Sequence, residues 1–135
     1  MKKILPFFFL FAVLTLFIIS CNKQNSTGSF TYTMLKGQCI SSANGNNFSI
    51  CLDSVGTDSR CPTGAVCFRA GDVFCMFSFH QNGIVIPFAL SIGEPYSRHD
   101  TLINQITISL KDVLPYPSAT TPPSMPTQAI IEVTE

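Results

Sequence analysis

Beyond residue 28, apolar and polar residues alternate with a period of two in short runs broken by Gly, Asn, Pro and Ser clusters. Period-two alternation places one set of side chains on each face of a strand. The pattern predicts strands over Ser29–Leu35, Asn47–Val55, Asp72–Gln81, Ile84–Ile92, Asn104–Val113 and Gln128–Thr134. No stretch shows the spacing of an amphipathic helix, and nothing repeats.

Asn82-Gly83 lies between two of these runs. Asn-Gly is the strongest short hairpin signal, because both residues of the turn need positive φ. Counting outward sets Phe79 opposite Ile86, Phe77 opposite Phe88, Cys75 opposite Leu90 and Val73 opposite Ile92. These eight share one apolar face. The other face pairs His80 with Val85, Ser78 with Pro87, Met76 with Ala89 and Phe74 with Ser91. Pro87 has no N–H for a ladder, which predicts an edge strand or a bulge.

Phe48, Ile50 and Leu52 form a second half-buried face, and Ile106, Ile108 and Leu110 a third. Such faces bury one another when two antiparallel sheets pack together. The expected fold is all-β, a small Ig-like sandwich over residues 30–135, with a small barrel as the alternative. Five prolines between Pro115 and Pro126 predict a rigid crossing loop before the last strand.

The first residues follow a different rule. Met1-Lys2-Lys3 precedes an uncharged apolar run from Ile4 to Ile19, then Ser20-Cys21 and the polar string 22–29. The run is nearer a signal segment than a spanning helix. Ile18-Ile19-Ser20-Cys21 resembles the lipobox of bacterial lipoproteins. Ile18 stands where that family usually has Leu, and Ile19 where a small residue is commoner. The resemblance implies a signal peptide over 1–20 and acylation of Cys21, which would hold the domain to membrane lipid. The alternative is an uncleaved N-terminal membrane helix. Residues 21–29 read as a flexible tether. The expected location is the cell envelope, at the outer membrane facing the periplasm.

That compartment oxidises thiols, so the cysteines predict disulfides. With Cys21 acylated, Cys39, Cys51, Cys61, Cys67 and Cys75 remain, an odd number. Cys61 and Cys67 enclose a short turn containing Pro62 and Gly64, and Cys39 and Cys51 flank a Gly/Asn/Ser turn; each pair is placed to close a local bridge. Cys75 falls on the apolar hairpin face, where a free thiol packs as a small hydrophobe. Beyond Ser20, six Lys/Arg against eight Asp/Glu leave a net charge near −2, with the basic residues scattered singly. No basic stripe is present, so nucleic acid is not an expected partner.

The most distinctive stretch is Asp58-Ser59-Arg60-Cys61-Pro62, followed by Cys67-Phe68-Arg69-Ala70-Gly71-Asp72. With Leu114-Pro115-Tyr116-Pro117 it resembles a recurring pattern of small bacterial exported proteins with no established activity, in which Trp is frequent where this chain has Arg69. Three readings of the Cys61–Cys67 segment stand side by side: a structural bridge, an exposed presentation loop, or a metal-binding turn. Asp58, Arg60, Pro62, Thr63 and Arg69 are its candidate contact residues, with Asp58 and Arg60 read as a surface pair of little energetic weight. A calcium site from Asp53, Asp58 and Asp72 lacks the dense spacing such loops use.

Catalytic patterns are thin. His80 lies an odd number of positions from Cys75 on one strand, so the two point to opposite faces. His99-Asp100 near Ser97 is a weak triad signal in a polar loop. No nucleophile-elbow, zinc-protease or phosphate-loop motif occurs. The expectation is therefore a non-catalytic, cofactor-free and metal-free interaction module that binds an envelope protein or polymer. An inhibitor presenting the Cys61–Cys67 loop and a purely structural envelope component are the alternatives.

Overall fold

The computed structural model describes residues 28–42, 44–93 and 97–135. Ser20, Cys21 and the rest of the expected leader, with the expected tether up to residue 27, lie outside the described residues. Eight strands are present: β1 (Ser29–Leu35), β2 (Cys39–Ser41), β3 (Phe48–Val55), β4 (Val73–Gln81), β5 (Ile84–Ile92), β6 (Asp100–Ile103), β7 (Ile106–Leu114) and β8 (Gln128–Thr134). They form two open four-stranded antiparallel sheets, ordered β1-β8-β7-β6 and β2-β3-β4-β5. The architecture is the expected sandwich, and the strand order is its own: two meanders, with β1 crossing over to pair with β8.

The hairpin register is the one counted from Asn82-Gly83, pair for pair. Both turn residues have positive φ, 51° and 77°. β5 is an edge strand, which accommodates Pro87 without a broken ladder.

Two strands escape the alternation rule. β2 has only three residues. β6 is joined to β7 by Asn104-Gln105, both left-handed at 50° and 68°, so the strand expected from Asn104 begins instead at Ile106. Asp100, expected in a loop, opens β6. Glutamine is an uncommon left-handed residue, and this turn therefore carries no Asn-Gly signature.

The core lies between the sheets. Phe48, Ile50 and Leu52 of β3 and Val73, Cys75, Phe77 and Phe79 of β4 face Met34, Ile108, Leu110, Ile131 and Val133. Phe77 stacks on Phe88, and Phe48 on Phe79, each pair with centroids 5.2 Å apart. Such pairs add about 0.5–1.5 kcal/mol to the burial itself. Bulges interrupt β3 between Leu52 and Ser54 and β7 between Leu110 and Asp112. The second explains why Leu110 and Val113, an odd number of residues apart, are both buried.

The sandwich has two unlike ends. At the entry end the Glu135 amide donates to the Gly28 carbonyl (3.0 Å). The Glu135 carboxylate accepts from Ser42 and Asn46, and Asn104 donates to Gln81 across the sheets (2.8 Å). The opposite, loop end carries the β1–β2 turn, the β3–β4 connection (56–72) and the proline-rich β7–β8 connection (115–127).

Candidate functional site

The β3–β4 connection is held at its base by paired backbone. The Ser59 amide donates to the Asp72 carbonyl (3.0 Å) and the Gly71 amide to the Ser59 carbonyl (3.1 Å). The Ser59 hydroxyl donates to the Asp72 carbonyl (2.7 Å) and accepts from the Asp72 amide (3.0 Å). A Cβ at Gly71 would come within 2.5 Å of the Ser59 carbonyl oxygen, so glycine is required there.

Just beyond the clamp sits Arg60. The surface pair expected with Asp58 is a buried knot, since the Arg60 side chain is only 4% exposed. Its Nε donates to both Asp58 carboxylate oxygens (2.9 and 3.1 Å), and Nη2 donates to Asp58 Oδ2 and to the Val113 carbonyl, each at 2.6 Å. Nη1 reaches Asp112 at 3.3 Å, and the guanidinium lies 4.3 Å from the Tyr116 ring centroid. The β7 bulge turns Asp112 and the Val113 carbonyl toward it. Burial lowers the Arg60 pKa, but the bond to Asp58 and the charges of Asp58 and Asp112 outweigh it, so the net shift is upward. The stretches 58–62 and 114–117, far apart in sequence, meet in this knot.

Cys61 and Cys67 close the disulfide that carries the tip of the connection. Cys39 and Cys51 form the second bridge, directly across β2 and β3. On loop-closure entropy each stabilises by on the order of 2–3 kcal/mol. Thr63 sews the tip to the proline-rich loop: its amide donates to the Pro117 carbonyl (2.9 Å), and its carbonyl accepts from the Ala119 amide (3.1 Å). Pro62 is half-buried; Thr63 and Arg69 are exposed.

Two residues that the alternation pattern does not single out are the most available for contact. Val66 and Phe68 are 103% and 109% exposed, with their side chains projecting free of the body. An apolar residue in an alternating chain reads as core, and here the disulfide and the Thr63 bridge turn both outward. Their signal was the combination of a Val and a Phe with a short cysteine-closed loop. Single exposed apolar residues are ordinary, but two projecting from one pinned tip, on either side of Cys67, make a protruding apolar knob.

Cys75 is the free cysteine among the described residues, and it is fully buried. Burial pushes its pKa up to about 11 from about 9. Below pH 9 folded and unfolded chains both hold the thiol; above it the unfolded chain releases the proton first. Stability is therefore expected to fall by about 2–3 kcal/mol between pH 9 and 11. Urea unfolding of the parent and of Cys75→Ala across that window checks this, because the variant must lack the extra slope.

On the outer face, Ser78 donates to Asp53 (3.0 Å) and meets His80 Nε2 at 3.0 Å. Serine stands between the other two, whereas nucleophile activation needs histidine in the middle. With its one proton on Asp53, Ser78 accepts from His80 and is not activated. His99 meets the carbonyl of Ser97, not its hydroxyl. Among the described residues no three His, Cys, Asp or Glu side chains gather as a metal site.

A cleft of about 450 Å³ opens beside the knot. Val55 gives it an apolar wall, with the buried Val73 and Val113 at its border; Pro115, Tyr116, Pro117 and Pro123 stand along the proline-rich side, and Lys36 lines it from the β1–β2 turn. No family model, curated protein or solved structure matches the chain, so its function is read from its own residues.

Proposed function

We propose that the chain is a membrane-tethered, non-catalytic interaction module of the bacterial cell envelope, and that it grips an envelope protein through the tip of its Cys61–Cys67 loop. The tether is acylated Cys21, and the outer membrane facing the periplasm is its proposed site. The observation that carries the contact reading is the full exposure of Val66 and Phe68 on a loop that cannot collapse. A pre-ordered apolar knob loses little conformational freedom on docking, and a concave apolar pocket is its natural complement. Arg60 supports the tip from beneath rather than touching the partner, because its charge is already spent on Asp58 and Asp112. The knob and the chain's entry point occupy opposite ends of the sandwich, so a tether through Gly28 directs the knob away from the anchoring membrane.

The test is photo-crosslinking in cells from position 63, followed by identification of the captured protein. The double variant Val66→Asp, Phe68→Asp is expected to bind the captured protein at least about 30-fold more weakly, while its denaturant midpoint stays near the parent's. Undiminished binding by the double variant overturns the proposal.

The same pinned loop favours one second reading, an inhibitor that presents Ala65 and Val66 to a protease. Inhibition of a broad panel of secreted proteases by the domain, lost in Val66→Asp, would establish it in place of the first.

A further inference from the structure

The cleft at the loop end is separate from the Val66–Phe68 knob and has its own chemistry. Val55 and the Tyr116 ring supply its accessible apolar wall, while Val73 and Val113, which also border it, are buried core side chains. Prolines 115, 117 and 123 add rigid apolar surface that needs little ordering when a ligand enters.

Its polar groups are unequally committed. The Asp58 carboxylate faces the cleft but accepts from the Arg60 backbone amide, Nε and Nη2, which occupies both of its oxygens. Lys36 makes no hydrogen bond or ion pair among the described residues, and its ammonium brings three donors to the rim. The hydroxyls of Tyr116 and Thr127 add further donors without partners among the described residues. The cleft thus offers an apolar wall, rigid flanks and an uncommitted cation, but no free carboxylate.

We infer that this cleft is a binding site for a ligand with an apolar body and a carboxylate, the head on Lys36 and the body against Val55, Tyr116 and the flanking prolines. Both a free aliphatic or aromatic acid and a peptide ending in an apolar residue carry this chemistry.

The test uses the isotope-labelled full chain in lipid nanodiscs, titrated with three probes and followed by amide chemical shifts. The probes are 4-phenylbutyrate, a tetrapeptide ending in Phe with a free carboxylate, and the same peptide amidated. Shifts are expected at Val55, Gly56, Val113 and Thr127 with at least one carboxylate probe. The amide is expected to bind about fivefold more weakly than its acid, and Lys36→Gln to erase that difference. Stronger binding by phenylbutyrate than by the peptide acid identifies a small acid as the natural class; the reverse order identifies a chain terminus. Equal binding of acid and amide by the parent overturns the inference, as does an absence of shifts in the cleft. Shifts confined to residues 65–69 would also overturn it, while leaving the knob's role intact.

Discussion

Replacing Arg60 by alanine is expected to lower the unfolding free energy by about 3 kcal/mol and the melting temperature by roughly 12 °C. The side chain serves three acceptors and a ring at once: Asp58, Asp112, the Val113 carbonyl and Tyr116. Removing it leaves two carboxylates and a carbonyl facing a hole at the seam between the sheets. Breaking a buried pair from one side costs more than the pair itself contributes, because the abandoned charge stays behind. Asp58 and Asp112 keep some access to water, which sets the expectation at the low end of that range. Lysine should recover less than half of the loss, since it keeps the charge but not the fork or the flat face over Tyr116. Urea titrations of Arg60→Ala and Arg60→Lys decide the matter. An alanine variant within 1 kcal/mol of the parent would show that the knot is incidental.

Phe77→Ala is expected to cost about 4 kcal/mol, the largest single effect in the domain. Phe77 lies in β4, an inner strand of its sheet, is fully buried and stacks on Phe88. Its removal loses the transfer free energy of a ring and leaves a cavity that two hydrogen-bonded sheets can close only in part. Phe88→Ala should cost roughly half as much, since Phe88 sits on the edge strand and is only partly buried. Equal losses in the two variants would mean that the edge strand packs as tightly as the inner strand.

The sequence conveyed the fold wherever a local rule determined a long-range outcome. Asn82-Gly83 sets a tight turn, and a tight turn sets every pair of the hairpin after it. That is why the sequence alone places Cys75 in the core. The Asn104-Gln105 turn obeys the same geometry, but its glutamine does not announce it, and β6 went unseen with it.

The loop was legible only in outline. Its bridge follows from the nearness of Cys61 and Cys67 along the chain. The burial of Arg60 depends on Asp112 and Val113, more than fifty residues away and turned inward by a bulge. Nothing near Arg60 in the chain reports such partners. The roles of Val66 and Phe68 were hidden for a related reason: alternation says which face a residue takes in a strand, and nothing about a residue lifted clear of both sheets.

The placement of the chain's entry and the knob at opposite ends also has a mechanical meaning. A pull between a tether at Gly28 and a partner gripping the tip runs along the strands, not across them. β1, the first strand to carry that load, is paired with β8 over its whole length from Ser29 to Leu35. Under such a pull those seven pairs are strained together in shear, and none can open before the rest, as pairs do when strands are peeled apart. A domain hung this way resists tension along its own length best, which is the direction a tether and a distant partner would impose.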